Sequence, residues 1–134
     1  MDERTMSIFN DSLERCTRDK RFMPSFYETF IGSSDEVAAK FARTNLKRQG
    51  RILRRSLYIV MMAAQGEKGA LQEMGRLGGI HDRRHLDIGP HLYALWLQAL
   101  ILTVRQHEPA CTGVTEAAWR EVMQRGIDLL LDHY

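Results

Sequence analysis

Apolar residues recur at intervals of three and four along nearly the whole chain, and polar or charged residues fill the positions between them. In a helix this spacing gathers the apolar side chains on one face, which is the pattern of an amphipathic α-helix. Alternating apolar and polar runs, which indicate half-buried strands, are absent. The pattern therefore predicts an all-α fold.

Breaks in the apolar spacing and capping signals divide the chain into seven predicted helices. Gly66 and the pair Gly89–Pro90 mark two of the boundaries, because Gly ends helices and Pro favours their first turn. No internal repeat or domain boundary is needed, so residues 1–134 are expected to form a single domain. The first predicted helix places Ile8, Phe9, Leu13 and Cys16 on one face. The other six helices are predicted from about Phe22 to Gly32, from Ser34 to Phe41, from Asn45 to about Ala64, from about Ala70 to His81, from Pro90 to about Gln106, and from Thr115 onward.

Composition and charge narrow the class of protein. Hydrophobic residues make up 44% and charged residues 27% of the chain, as in a soluble globular domain. The net charge of +2 gives no broad electrostatic attraction to nucleic acid or to an anionic membrane. The densest basic stretch, Lys47 to Arg55, carries leucines at helical spacing and no interleaved aromatic residues. It indicates a solvated helix face, with nucleic-acid contact as the alternative.

Targeting and redox signals predict a cytoplasmic protein. Only two cysteines occur, Cys16 and Cys111, and neither belongs to a CxxC pair, which argues against a disulfide framework or a zinc site. The N-terminal stretch lacks the apolar core of a signal peptide. No apolar run approaches the roughly 20 residues that span a bilayer.

Two polar side chains interrupt predicted apolar stripes. Gln49 occupies the position between Leu46 and Leu53 on the stripe of its helix. A buried amide without a partner costs about 1–3 kcal/mol, so Gln49 should face a ligand, a water or another polar group unless it is solvated near the helix start. Tyr27 shares a face with Phe30 and either fills the core with its hydroxyl outward or donates into the pocket that Gln49 enters.

A histidine ends the apolar stripe of the glycine-rich helix. Leu71, Met74 and Leu77 follow one another at three-residue steps, and His81 follows on the same face. A core histidine bonded to a carbonyl and a cation at a helix C-terminus are two interpretations. The third is a metal ligand, because neutral imidazole binds iron from within an apolar pocket. Gly75, Gly78 and Gly79 favour the interpretation of His81 as a metal ligand, since small residues let a flat group approach closely.

Four stretches resemble the globin family and together cover nearly the whole chain. FYETFIGSSDEVAAKF (residues 26–41) resembles the segment from the distal-pocket helix to the phenylalanine that packs on haem, and TNLKRQGRILRRSL (44–57) resembles the distal helix. LGGIHDRRHLDIGPHLYALWLQALILTVRQHEP (77–109) is similar to the proximal motif of proteobacterial single-domain globins, and AWREVMQRGIDLLL (118–131) resembles their last helix. Flavohaemoglobins and globin-coupled sensors share parts of the pattern. The resemblance implies a globin-like fold around haem b.

The resemblance also implies roles for individual residues. His81 takes the position of the axial iron ligand, and Tyr27 and Gln49 take the positions of distal donors to a bound gas. His85 is the alternative ligand, because sensor globins place their proximal histidine in an H-x-x-I-G context; with His81 as the ligand, His85 is expected near a haem propionate. The other expected contacts with the cofactor are Phe41, Leu53, Leu57, Leu77, Ile80, Ile88, Tyr93 and Trp96.

Binding of dioxygen, carbon monoxide or nitric oxide at a His-ligated iron is the main function that the resemblance implies. One alternative is an enzyme that dioxygenates nitric oxide or acts like a peroxidase, supplied with electrons by an external reductase. Another is a haem-based sensor that acts through a partner protein, and a third is a haemless helical interaction module in which His81 is structural. We also consider a homodimer formed through the last two long helices.

Overall fold

The computed structural model describes residues 1–134 and contains seven α-helices and no strand, which confirms the predicted all-α fold. None of the helices combines the length and the hydropathy that a bilayer crossing requires. The helices are α1 (Glu3–Arg18), α2 (Phe22–Ile31), α3 (Asp35–Phe41), α4 (Leu46–Ala64), α5 (Lys68–Ile80), α6 (Pro90–His107) and α7 (Gly113–Leu131).

Side-chain caps fix where the helices begin. Ser34 accepts a hydrogen bond from the third residue of α3, and Asn45 does the same for α4. The start of α7 differs from the prediction, because Thr112 is the cap and Thr115 is the third helical residue. The two threonines form a reciprocal capping box in which Thr115 has the role that Glu or Gln usually plays. The helix therefore begins two residues earlier than Thr115.

A buried polar cluster joins the first helix to the last two. The Glu108 carboxylate, at the end of α6, accepts hydrogen bonds from Arg15 Nε at 2.7 Å and from Ser12 Oγ at 3.1 Å. The indole of Trp119 in α7 donates to the same Ser12 hydroxyl at 2.9 Å. Every buried group of this cluster thus has a partner, as a buried charge requires.

The helices enclose a core that is open on one side of α4. α1 packs on α7 through the edge-to-face pair Phe9 and Trp119, whose centroids are 4.8 Å apart. α4 and α7 approach closely at Gly126, where an added Cβ would lie 2.8 Å from Val60 Cγ1. Between these contacts and α2, α3, α5 and α6, the side chains leave a cavity rather than a filled interior.

Candidate functional site

The cavity has a volume of about 220 Å³ and a wall built mainly of apolar side chains. Of its 21 lining residues, 16 are hydrophobic, and they come from six helices and from the loop before α6. An apolar concavity with a few convergent polar groups is the usual form of a ligand site. The other lining residues are Lys40, Gln49, Ser56, His81 and Gly126.

His81 supplies the imidazole of the cavity wall. It caps the C-terminus of α5, where its main-chain N–H donates to the Leu77 carbonyl at 3.0 Å. Its ring Nδ1 lies 3.4 Å from the hydroxyl of Tyr93, and Nε2 makes no hydrogen bond within the chain. Burial lowers the pKa of His81. This shift favours the neutral form of the ring, which is the form that coordinates metals.

The loop after His81 folds back on the end of α5. The Ile88 N–H donates to the His81 carbonyl at 2.9 Å, and the Asp87 N–H donates to the Asp82 carbonyl at 2.8 Å. Asp87 has a φ of 52°, in the left-handed region that Asp tolerates better than most residues. This compact loop brings Ile88 to the cavity wall together with His81.

The end of the chain braces this loop from outside. The Tyr134 hydroxyl donates to Asp87 Oδ1 at 2.6 Å, and Arg83 Nε donates to the main-chain oxygen of Tyr134 at 3.0 Å. The Arg83 guanidinium also lies 4.6 Å from the centre of the Tyr134 ring, a cation–π distance. The backbone that carries His81 is thus tied to α5 on one side and to the final residue on the other.

Tyr27 and Gln49 lie next to each other in the cavity wall. Tyr27, only 4% exposed, donates its hydroxyl to the main-chain oxygen of Gln49 at 3.3 Å, which is long for such a bond. Burial raises the pKa of Tyr27, so its phenol stays a neutral donor. The side-chain amide of Gln49 is half-buried, lines the cavity and makes no hydrogen bond within the chain. The structure therefore brings together the two residues that the sequence singled out.

Most of the expected apolar contacts also lie at the cavity. Phe41 packs against Tyr27 and Phe30, with both pairs of ring centroids 5.7 Å apart. Trp96, on α6, meets the edge of Phe26 at 6.1 Å. The expected residues that line the cavity are Phe41, Leu53, Leu77, Ile88, Tyr93 and Trp96, together with Tyr27, Gln49 and His81.

Three expected contacts lie elsewhere. Leu57 is fully buried in the core and does not line the cavity, although Leu53 and Val60 on the same side of α4 do. Ile80 is 39% exposed at the end of α5. His85 is exposed, and its Nδ1 lies 2.7 Å from Asp82 Oδ1. Of the two candidate iron ligands, only His81 reaches the cavity.

Sequence reasoning missed a further set of lining residues. Phe30 and Ile52 each lie one turn after a predicted distal residue, so helical spacing would have found them. Lys40 donates to the Leu86 carbonyl at 3.1 Å and is the only cation in the wall. No pattern distinguishes the others from ordinary core residues; they include Val37, Val60, Met74, Leu92, Met123, Ile127 and Leu130.

The chain matches a solved structure over nearly its whole length. No family model and no curated protein matches it. It is similar, however, to the crystal structure of protein PA3967 from Pseudomonas aeruginosa PAO1, described as structurally highly homologous to a human hemoglobin. The two chains are 37% identical, with a TM-score of 0.93, and the match covers 97% of this chain and 98% of the other. The chain therefore belongs to the family of bacterial single-domain globins.

Proposed function

We propose that the protein binds haem b through His81 and holds dioxygen or another diatomic gas between the iron and the side chains of Tyr27 and Gln49. The observation that carries this proposal is the composition of the cavity wall. One imidazole that burial favours in its neutral form lies in a mainly apolar wall, and two polar donors, Tyr27 and Gln49, lie together in the same wall. This is the arrangement that a buried iron with one protein ligand and one gas ligand requires.

The residues present fit an iron porphyrin. The wall is apolar enough for the macrocycle, and Nε2 of His81 is not committed to another hydrogen bond. The hydroxyl of Tyr93 lies beside the other ring nitrogen, where an outer partner orients a ligating histidine. Haem, when bound, would supply an iron atom that His81 could ligate and that could bind a gas reversibly.

The chain's own residues determine how long a gas molecule stays. The Gln49 amide has no hydrogen-bond partner within the chain and is free to donate. The Tyr27 hydroxyl makes only a long hydrogen bond to the Gln49 carbonyl, which it can give up in order to donate to a ligand. Both are donors, and a donor adds about 0.5–1.5 kcal/mol to a neutral acceptor and about 1.5–3 kcal/mol to a charged one. A gas that gains negative charge on binding, such as dioxygen, is therefore retained more than carbon monoxide.

Lys40 is the cation that could pair with an acidic group of the cofactor. Its ammonium lies beside the Leu86 carbonyl, and its side chain is exposed while also lining the wall. A cation at the edge of an apolar pocket suits a carboxylate that remains in contact with water. We assign Lys40 to a propionate of the cofactor.

Reconstitution with hemin tests the proposal. The wild-type protein should acquire a Soret band, and reduction should give the spectrum of a five-coordinate ferrous haem that binds carbon monoxide. His81→Ala should lose the five-coordinate signature, and exogenous imidazole should restore it. His85→Ala is the matched control and should retain the wild-type spectrum, since His85 is exposed and bonded to Asp82. A colourless wild type, or an unchanged His81→Ala spectrum, would contradict the proposal.

A further inference from the structure

The positive charge of the chain is concentrated in one short segment. Residues 43–55 contain six basic residues and no acidic residue. Without these six, the 19 basic residues fall to 13 against 17 acidic ones, so the rest of the chain has a net charge of −4 although the whole chain has +2. Five of the six belong to α4, and we call them the basic face: Lys47, Arg48, Arg51, Arg54 and Arg55.

The basic face opposes the stability of the helix that carries it. Lys47 and Arg48 lie in the first turn of α4, at the positive end of the helix dipole, and that turn has no acidic residue. Arg51 follows Lys47 by four residues and precedes Arg55 by four, so like charges repel along the helix. Folding alone therefore does not explain this arrangement of charges.

No acidic side chain within the protein neutralises the basic face. None of the ion pairs of the structure includes any of its five residues. Glu73 interacts electrostatically with Arg55, but its carboxylate already forms an ion pair with Arg76. All five side chains are exposed and remain available to an external anion.

The basic face adjoins the haem cavity at one exposed apolar residue. Arg51, Arg54 and Arg55 line a shallow groove with Tyr58 on the outer side of α4. Ile52 lies beside this groove, is 44% exposed and also lines the cavity. The surface thus has an exposed apolar residue at one edge of the basic face, and that residue is also part of the cavity wall.

We propose that the basic face docks the acidic surface of an electron-donating protein, with Ile52 at the contact. The inference rests on the proposed function, because an iron that has become ferric must regain one electron before it binds dioxygen again. In that step the partner's reduced cofactor loses one electron and the ferric iron gains it, with no bond made or broken. Redox complexes have small interfaces and depend on charge steering, which this surface provides.

The groove suits a protein better than a nucleic acid. Binding of single strands combines cations with aromatic rings on which bases stack. Tyr58 is the one aromatic residue in the groove, and it is half-buried with its hydroxyl 3.1 Å from Thr17 Oγ1. A docking protein needs only complementary charge and an apolar contact.

A plant-type [2Fe–2S] ferredoxin, a small acidic one-electron donor, is a suitable probe. The face variant is Arg51→Gln/Arg54→Gln/Arg55→Gln, and the control is Arg4→Gln/Arg120→Gln/Arg125→Gln, which removes the same charge from exposed positions on α1 and α7. Haem-loaded, ¹⁵N-labelled protein is titrated with oxidised ferredoxin to map the contact. The rate of ferric haem reduction by reduced ferredoxin is then measured against ionic strength.

The amide shifts should centre on α4 around Ile52. Reduction should slow at least tenfold in the face variant, and raising the ionic strength from about 0.01 to 0.1 M, which shortens the Debye length from about 30 to 10 Å, should slow the wild type similarly. The control variant should stay within about twofold of the wild type. Reduction by dithionite should not distinguish the variants. The face variant should unfold at no lower temperature than the wild type, since it loses repulsion.

Two outcomes would overturn the docking proposal while leaving haem binding intact. The first is a Soret-positive protein whose face variant is reduced by ferredoxin as fast as the wild type, or whose shifts map elsewhere. The second is tighter binding of a single-stranded oligonucleotide than of ferredoxin at 0.15 M salt, lost only in the face variant, which would assign the surface to nucleic acid. A protein without a Soret band would instead refute the proposed function, and the docking proposal with it.

Discussion

The hydroxyl of Tyr93 lies 3.4 Å from Nδ1 of His81 in the wall of the cavity. The two rings meet edge to face, with their centroids 6.5 Å apart, and they come from α6 and from the end of α5. A partner on the second ring nitrogen orients a ligating imidazole and adjusts its basicity. Tyr93 is thus a positioning residue for the proposed iron ligand.

Tyr93→Phe should loosen haem without unfolding the protein. The ring still fills its place, while the contact with His81 is lost, and loss of such a partner weakens metal binding about 10- to 100-fold. We expect haem transfer to an apo-globin acceptor to accelerate by about tenfold, the lower end of that range, because the contact of 3.4 Å is long. The iron–histidine stretching frequency of the ferrous protein should shift as well, which a merely structural role would not cause. Burial raises the pKa of Tyr93 to about 12, so the effect should be the same at every pH between 6 and 9.

Tyr27→Phe should speed the dissociation of dioxygen. Loss of one charge-assisted donor of about 1.5–3 kcal/mol corresponds to an off-rate higher by roughly 10- to 100-fold. Stopped-flow displacement of dioxygen by carbon monoxide measures that rate. Tyr58→Phe removes a phenol on the other side of α4 and should leave the rate unchanged. Fast dissociation in the wild type that Tyr27→Phe does not alter would refute the distal role of Tyr27.

Glu108→Gln should destabilise the fold. The carboxylate accepts from Arg15, from Ser12 and from the Ala110 N–H, and its side chain is fully buried. An amide cannot accept all of these bonds, so we expect the free energy of unfolding to fall by about 1–3 kcal/mol in urea titrations. Glu14→Gln, which removes an acid from an exposed i,i+4 pair, should cost less than about 0.5 kcal/mol. An equal loss of unfolding free energy in Glu108→Gln and Glu14→Gln would contradict the stabilising role of the Glu108 cluster.

The same carboxylate makes stability depend on acid pH. Burial raises the pKa of Glu108, but hydrogen bonds from Arg15, the Ala110 N–H and Ser12 lower it further than burial raises it, so it lies below its usual 4.5. A depressed carboxylate pKa contributes stability above the unfolded-state value, and this contribution is lost as the pH falls through the folded-state value. The stability difference between wild type and Glu108→Gln should therefore narrow below about pH 4.5 and stay constant between pH 5 and 7. A stability difference between wild type and Glu108→Gln that stayed constant down to pH 3 would exclude a contribution of Glu108 protonation to the pH dependence of stability.

Two glycines should respond to alanine in opposite directions. At Gly126 an added Cβ meets Val60 at 2.8 Å, and overpacking of this kind costs about 1–3 kcal/mol. At Gly79, a helical position, an added Cβ has nothing within 4 Å, and replacing a helical Gly stabilises by about 0.5–1 kcal/mol. Thermal unfolding of both variants measures the contrast. Equal changes in the unfolding temperature of the two variants would show that the α4–α7 contact accommodates the added methyl group without strain.

The helices were predictable because the apolar spacing and the caps are local signals. The start of α7 was misplaced because a Thr in the third helical position is an unusual member of a capping box, so Thr115 resembled the cap itself. Leu71 was expected on the buried stripe of α5 but is 38% exposed. The stripe turns outward at its first residue, since only the later turns of α5 face the cavity.

The cavity was predictable where a polar residue replaced an apolar one. Gln49, Tyr27 and His81 stood out for that reason, and all three line it. Helical spacing favoured His81 over His85, because His81 completes the apolar stripe of α5, and the structure leaves His85 exposed in the loop that follows. Leu57 and Ile127 look alike in sequence, yet the first faces the core and the second the cavity, because only the packing of whole helices decides where space remains.

The Glu108 cluster has a consequence for how the chain acquires its structure. It joins side chains that are 93 to 107 positions apart, so none of its bonds exists until most of the polypeptide has emerged from the ribosome. Contacts that close such long loops form slowly, whereas single helices form within about a microsecond. The contacts between α1 and α7 therefore form only after the last helix has been synthesised, and the apolar side chains of α1 that pack against α7 have no partner there until then.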